Sequence, residues 1–184
     1  MRQPTILHWR TGDLKYLPDN GNRYEIINGE LFVTRAPHWR HQKVSGRINT
    51  ELDLWSRISQ LGEPIINPGV IFTEADSVIP DVVWISYERL ESAVDESGHL
   101  TVSPELVIEV LSLSNESVDR QNKLNLYSTQ SVDEYWIVDW RVQQIEIYRR
   151  QGGALQLAII LIATDTLSSP LLPGFACPVN QLFA

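Results

Sequence analysis

The sequence predicts an α/β fold with a mixed β-sheet flanked by helices. Helical and strand-like segments alternate along the chain, and a strand, a helix and a second strand follow one another between Leu106 and Asp139. A strand, helix and strand in this order favour a right-handed parallel crossover. Turn residues near both ends of the chain favour additional antiparallel hairpins, so the predicted sheet is mixed.

The first elements are a hairpin and a long helix. The hairpin is predicted at Tyr24 to Thr34, because the Asn28-Gly29 pair separates two apolar runs and Asn-Gly is a strong hairpin signal. The helix is predicted from His38 to Leu61, and Gly62 is expected to end it. The stripe expected to face the core is Val44, Ile48, Leu52, Trp55 and Ile58.

The later elements follow from apolar runs and the turns between them. A helix is predicted from about Glu116 to Gln130, with Ser114 and Asn115 as natural N-cap residues. Gly152-Gly153 predicts the turn of a second hairpin, and Glu88 to Gly98 is expected to be a surface loop. The predicted strands are 65–73, 78–86, 106–111, 134–139, 144–149 and 155–163, and residues 170–184 close the chain.

Length and composition narrow the class of protein. A chain of 184 residues predicts a single domain over residues 1–184, with its core at about 20–150. The lone cysteine, Cys177, excludes an internal disulfide and a zinc site built from several thiolates. The polar N-terminus gives no export signal, and no apolar run is long enough to span a bilayer, so we expect a cytoplasmic protein without a membrane role.

The distribution of charge bears on nucleic-acid binding. A net charge of −8 opposes non-specific attraction to a polyanion. Residues 31–50 nevertheless contain no acidic side chain, and Arg40, Lys43 and Arg47 lie three and four positions apart on the predicted helix. This row could contact DNA phosphates or form a solvated helix face.

Two carboxylates stand in apolar strands. Glu109 lies within the run Leu106 to Leu111, and Asp81 begins the run that continues to Ile85. A buried unpaired charge is costly, so each needs a partner, a proton or a metal ion. Two neighbouring carboxylates would suit Mg²⁺, which prefers oxygen ligands. The alternatives are an Arg partner or a solvent-facing strand end for Glu109, and an ordinary turn for Pro80-Asp81.

Lys123 is a candidate for a third catalytic group. It lies on the helix that follows the Glu109 strand, so it could point back at the sheet and stabilise charge that develops on a phosphate. The alternative is a surface pair with Asp119, four residues earlier.

Several motifs, taken together and in order, resemble the Uma family of restriction endonucleases. They cover most of the chain, from about residue 20 to its end. The matching segments are Tyr24 to Glu30, His41-Gln42, Pro80 to Val83, Glu105 to Ser112, Asp119 with Lys123 and Tyr127, Glu134 to Asp139, and Leu171 to Phe175.

The resemblance implies the PD-(D/E)XK nuclease fold, a restriction-endonuclease-like core, with Mg²⁺-dependent hydrolysis of DNA as the activity and Mn²⁺ as a substitute ion. Asp81 and Glu109 would then be the catalytic metal ligands. Leu111 occupies the usual position of the lysine, and Lys123 resembles a migrated lysine. Leu113 and Ser131 are smaller departures from the family pattern, in turns.

Other roles stay open at this point. Glu25 could be a third carboxylate at the metal or could hold the hairpin in place. His41 could be a core histidine or a substrate contact, and Glu51 is a further candidate acid. The rival functions are a non-catalytic DNA-binding or regulatory module and a glycoside hydrolase that uses two carboxylates. A homodimer would supply one site for each strand of a duplex.

Overall fold

The computed structural model describes residues 8–112 and 116–184, and it confirms the mixed α/β class. The predicted caps Ser114 and Asn115 and the departure at Leu113 lie outside these residues. The elements in chain order are a 3-10 helix Thr11–Tyr16, β1 Arg23–Ile27, β2 Glu30–Thr34, α1 Trp39–Ser59, β3 Gly62–Ile66, β4 Val70–Thr73, β5 Asp76–Val78, β6 Val82–Ser86, α2 Tyr87–Leu90, β7 Leu106–Val110, a π-helical segment Val118–Lys123, α3 Leu124–Thr129, β8 Glu134–Asp139, β9 Gln144–Gln151, β10 Ala154–Leu161, β11 Thr166–Ser169, β12 Leu172–Pro178 and α4 Val179–Phe183.

The largest sheet has six strands in the order β10-β9-β8-β7-β6-β3. Strands β7 and β8 are parallel, with Leu106 opposite Glu134, and the other neighbours are antiparallel. The helix between β7 and β8 therefore makes the parallel crossover that the sequence predicts. The hairpin β9-β10 turns at Gly152-Gly153, also as predicted.

A second sheet has four strands in the order β2-β1-β5-β4. The predictions of continuous strands at 65–73 and 78–86 are therefore wrong, because each of those segments divides between the two sheets. The first breaks at Pro68 and the second at Pro80, since proline has no backbone N–H to give to a ladder. As a result, the chain passes from the small sheet to the large one immediately before Asp81.

Helix α1 follows the prediction in its first turns and departs from it in the last. Val44, Ile48 and Leu52 are buried, but Ile58 is 86% exposed, so its assignment to the core stripe is wrong. At about 100° per residue, Ile58 lies roughly 80° away from Ile48 around the helix. The left-handed residue that ends the helix is Gln60 rather than Gly62.

Gly62 is needed for a different reason than helix termination. It begins β3 opposite Ser86, and a Cβ atom at this position would lie 2.3 Å from the carbonyl oxygen of Ile85. The close approach of two backbones therefore requires glycine here.

The six-stranded sheet separates two apolar cores. Residues that alternate along β6 and β7 point to opposite faces, as the pleat requires. Trp84 and Ile108 join α1 and β12 in one core, whereas Val83 and Val107 join α3 and the small sheet in the other. Glu109 shares the face of Val107, so its carboxylate enters the side that the small sheet and the crossover helix cover.

Candidate active site

A cavity of about 400 Å³ opens where the two sheets meet. All five catalytic candidates line it, although they come from distant parts of the sequence. They are Glu25 on β1, His41 on α1, Asp81 before β6, Glu109 on β7 and Lys123 at the end of the π-helical segment. Each of the five is buried. The structure therefore brings these five candidates together in one cavity.

Asp81 and Glu109 lie next to each other across the β6-β7 ladder. Val82 pairs with Ile108 in this antiparallel register, so the next residues outward are Asp81 and Glu109. The backbone N–H of Val110 donates to Oδ2 of Asp81 at 2.8 Å. This bond fixes the Asp81 carboxylate at the edge of β7, beside Glu109.

Lys123 and Tyr127 both donate to the carboxylate of Glu109. Nζ of Lys123 lies 2.9 Å from Oε1 of Glu109, and the Tyr127 hydroxyl lies 2.7 Å from the same oxygen. Glu109 is 3% exposed and Lys123 is 4% exposed. Glu109 is therefore not the solvent-facing strand end that the sequence left open.

Glu25 links the small sheet to Lys123 at the cavity. Its Oε1 accepts a hydrogen bond from the backbone N–H of Ile79 at 2.8 Å and lies 3.0 Å from Nζ of Lys123. The side chain thus holds the segment that leads into Asp81 while it contributes negative charge to the site. The observed hydrogen bond holds the segment after β5 rather than the β1-β2 hairpin, and a role at the metal stays a prediction.

Asp119 completes the cluster of acids around Lys123. The two side chains are four residues apart, with Oδ1 of Asp119 3.6 Å from Nζ of Lys123, and both are buried. The alternative of a surface pair is therefore wrong. Both residues belong to the π-helical segment, a rare geometry that is frequent at functional sites.

Burial and mutual repulsion shift the protonation equilibria of these acids. Burial raises the pKa of Glu109 well above its ordinary value despite the nearby Lys123. Burial also raises the pKa of Asp119, to about 7. Both carboxyls therefore retain protons more readily than exposed acids do.

Asp81 and Lys123 keep their charges. Burial opposes the ionisation of Asp81, but hydrogen bonds from His41 and Val110 outweigh it and lower the pKa. Burial alone would lower the pKa of Lys123, but Glu109, Glu25 and Asp119 hold it well above its usual value. At neutral pH Lys123 is a cation and a hydrogen-bond donor, and it cannot act as a base.

His41 and Arg23 are the remaining neighbours of Asp81. Nε2 of His41 lies 3.1 Å from Oδ2 of Asp81, and Nη1 of Arg23 lies 3.3 Å from Oδ1. Nδ1 of His41 is buried and has no hydrogen-bond partner among the residues that the structure describes. His41 is therefore a partner of the Asp81 carboxylate rather than a core histidine satisfied on both nitrogens.

The basic row on α1 divides into two parts. Arg40 and Lys43 line a second depression of about 290 Å³, next to the cavity. The Arg47 guanidinium instead donates to the backbone oxygens of Gln181 and Ala184 and ties α1 to the C-terminal helix. Glu51 is not among the residues that line the cavity.

The donor set suits a hard divalent cation. No group of three or more His, Cys, Asp or Glu side chains within residues 8–112 and 116–184 has the arrangement of a metal site. Mg²⁺ needs less, because it is often bound by one or two carboxylates plus water and phosphate oxygens. A carboxylate has about four lone-pair positions, and the three described donors to Asp81 leave room for a metal bond.

The charge balance also favours a bound cation. Among the described residues, four acids line the cavity, and the permanent cations in contact with them are Lys123 and Arg23. The four acids are Glu25, Asp81, Glu109 and Asp119. A divalent ion would favour the ionised forms of Glu109 and Asp119, whose pKa values are raised mainly by burial and further by the neighbouring acids.

Sequence reasoning did not find all the functional neighbours. Arg23 gave no signal, because it begins β1 after a polar segment and reaches Asp81, 58 positions later, only in the folded chain. Tyr127 and Asp119 were present in the motif series, but nothing in their spacing showed that they surround Glu109 and Lys123. The signal that could have found them is their position on the same helix as Lys123.

Comparisons with known proteins agree with this architecture. The model of a family named Uma2, described as "Putative restriction endonuclease", matches residues 12–180. An uncharacterized protein, sll1609, from Synechocystis sp. (strain PCC 6803) is 26% identical over 130 residues, which are 70% of this chain and 72% of that protein.

A solved structure also resembles the chain. It is the crystal structure of "a putative nuclease belonging to DUF820" from Anabaena variabilis, with a TM-score of 0.78 and 16% identity. The match covers 95% of this chain and 97% of the other. At this identity the likeness bears on the fold alone, and it confirms the restriction-endonuclease-like core.

Proposed function

The chain belongs to the Uma2 family, and from that premise we propose that it is a metal-dependent endonuclease that hydrolyses DNA phosphodiester bonds. The observation that carries the proposal is the meeting of Asp81, Glu109 and Lys123, all buried, in one cavity. Buried charges are costly to keep, so their convergence supports a catalytic role. We further propose that residues 1–184 act as one domain, since the family model spans nearly all of them.

Each residue has a distinct part in this proposal. Asp81 and Glu109 would hold Mg²⁺ or Mn²⁺, which when bound supplies an activated water and neutralises phosphate charge. Lys123 keeps its proton and donates a hydrogen bond toward the oxygen that gains charge. His41 and Arg23 orient Asp81, and Glu25 holds the segment that leads into it.

DNA is the proposed partner, and Arg40 and Lys43 are the proposed phosphate contacts. Both cations line the depression next to the cavity, so a strand bound there would continue toward Asp81 and Glu109. Arg47 would support this surface only by holding α1 against the C-terminal helix, because its guanidinium donates to backbone oxygens there. Among the described residues, no helix combines the length and apolarity needed to cross a membrane.

A homodimer is also part of the proposal. Strand β10 forms an edge of the large sheet. Leu157, Ile159 and Ile160 are exposed along it, and Ile162 is exposed directly after it. No charged residue occurs between Arg150 and Asp165, so the edge lacks the charges that usually prevent strand pairing. Sedimentation velocity should show a dimer for the parent and a monomer for Ile160→Lys; a monomeric parent would contradict this part.

The decisive experiment measures cleavage of mixed single-stranded and duplex DNA with Mg²⁺, Mn²⁺ or EDTA. We expect cleavage with either metal and none with EDTA. Asp81→Asn and Glu109→Gln should lose metal binding in calorimetry and lose cleavage together, because each removes one proposed ligand. Glu51→Gln is the matched control, since this acid lies outside the cavity lining, and it should cleave like the parent.

Other outcomes identify the rival functions. DNA binding without cleavage under any metal would favour a non-catalytic DNA-binding or regulatory module. Hydrolysis of glycosides that persists in EDTA would favour a glycosidase. Unchanged cleavage by both carboxylate variants would refute the assignment of Asp81 and Glu109 even if the parent proves to be a nuclease.

A further inference from the structure

Three aromatic rings form a surface beside the catalytic cavity, and we call His38, Trp39 and Trp140 the aromatic surface. The rings of His38 and Trp140 stack nearly parallel, with an interplanar angle of 8° and centroids 5.2 Å apart. Trp39 lies next to His38, with centroids 5.7 Å apart, and is 61% exposed. The exposed rings of His38 and Trp39 adjoin Trp140 beside a cavity, so they form a patch rather than a single scattered apolar residue, and such patches mark binding sites.

The aromatic surface connects the cavity to the neighbouring depression. His38 and Trp140 line the cavity of Asp81 and Glu109, and Trp39 and Trp140 line the depression of Arg40 and Lys43. Trp140 is held in place because its Nε1 donates to the carbonyl oxygen of Leu111 at 3.1 Å. A ligand on this surface would therefore lie directly beside the proposed catalytic groups.

Cations accompany the rings. The Arg40 guanidinium lies 5.3 Å from the Trp39 ring centroid and 5.9 Å from that of Trp140. Flat rings interleaved with Arg and Lys match the chemistry of nucleic-acid strands, whose bases stack on aromatic side chains while cations contact the phosphates. This cationic, aromatic character is confined to one part of the surface, since the chain as a whole carries a net charge of −8.

We propose that the aromatic surface binds a base of an unpaired DNA strand and so directs the nuclease to single-stranded or flapped DNA. Inside a duplex both faces of a base are covered by its neighbours, so Trp39 could stack only on a base that is unpaired or terminal. A single strand also carries about half the charge per length of a duplex, which reduces repulsion from an acidic protein. This inference rests on the proposed nuclease function and names its substrate class.

The test is fluorescence anisotropy with a labelled 20-nucleotide strand and with the same sequence in a hairpin duplex, in EDTA to prevent cleavage. The parent should bind the single strand more tightly than the duplex. Trp39→Ala should weaken single-strand binding about 5- to 100-fold, whereas Trp39→Phe should retain most of it. Circular dichroism would confirm that each variant is folded.

Tyr16→Ala is the matched control. Tyr16 is also an exposed ring under a cation, 78% exposed with Nζ of Lys15 4.9 Å from its centroid, but it does not line the cavity or the depression. This variant should bind both DNA forms like the parent. Strands that carry 2-aminopurine at single positions add a direct readout, since stacking should quench one or two positions and Trp39→Ala should relieve the quenching.

The outcomes separate this inference from the proposed function. Equal affinity for both DNA forms, binding of neither, or a Trp39→Ala variant that binds the single strand as tightly as the parent would overturn the inference, even if the parent cleaves DNA with Mg²⁺. Trp39-dependent binding by a parent that cleaves nothing would support the inference and refute the nuclease.

Discussion

Replacing Lys123 by Met tests whether this cation balances the buried acids. Its Nζ lies 2.9 Å from Glu109, 3.0 Å from Glu25 and 3.6 Å from Asp119. Met preserves most of the apolar stem, so the change removes the charge with little change in packing. Without the cation three buried carboxylates face one another, and breaking buried ion pairs in this way costs about 3–5 kcal/mol.

The loss should depend on pH. Glu109 and Asp119 already have pKa values raised by burial, and removal of Lys123 raises them further. A group whose pKa is higher in the folded state stabilises the fold at low pH and loses that contribution as pH rises through the folded value. The destabilisation of Lys123→Met should therefore be greater at pH 8 than at pH 5.5.

Urea unfolding followed by circular dichroism at both pH values, without metal, measures these free energies. Lys15→Met is the matched control, because Lys15 is exposed, and it should change the free energy of unfolding by less than about 0.5 kcal/mol. A loss below about 1 kcal/mol for Lys123→Met at pH 8, or a loss independent of pH, would refute the view that Lys123 balances the acids. With Mg²⁺ present, this variant should still bind the ion but lose most of the cleavage rate.

Three further predictions concern other parts of the molecule. In the parent, burial raises the pKa of Asp119 to about 7, so this side chain ionises between pH 5 and pH 8 and lowers the stability of the metal-free protein in that range. Asp119→Asn should therefore make the melting temperature fall less steeply over that range. An equally steep fall in the variant would show that Asp119 does not cause it. The double variant Arg40→Gln, Lys43→Gln should reduce the slope of log affinity against log salt by up to about two, one for each lost phosphate contact, in salt titrations of DNA binding. Arg47→Gln should leave that slope unchanged but lower the melting temperature, because Arg47 holds the C-terminal helix. Burial raises the pKa of the Cys177 thiol to about 11, and the side chain is 1% exposed, so a thiol reagent at pH 8 should react only after unfolding; rapid reaction with the folded protein would contradict the burial.

The sequence determined those elements whose signals are local. The Asn28-Gly29 pair supplies two positive φ angles, 53° and 76°, which a tight hairpin needs, and the predicted hairpin is present. The largely apolar segments around Glu109 and at 134–139 became neighbouring parallel strands in the centre of the sheet. Period and turn chemistry act within a few residues, so they can be recognised without the fold.

The sequence also identified the catalytic candidates, but for a different reason. Asp81 and Glu109 stood out because a charge in an apolar strand requires compensation. Lys123 was a candidate from its place on the helix after the Glu109 strand, and the family resemblance favoured it over the surface pair with Asp119. Leu111, at the position where the family's lysine is expected, is buried in the core.

Only the tertiary structure decided how the candidates meet. Pro68 and Pro80 each separate a strand of the large sheet from one of the small sheet, and this division places Glu25 opposite Glu109 with Lys123 between them. It also joined Trp140 to His38, about a hundred positions apart, beside the cavity. Such contacts depend on how sheets and helices pack, and packing between distant segments leaves no periodic signal along a single chain.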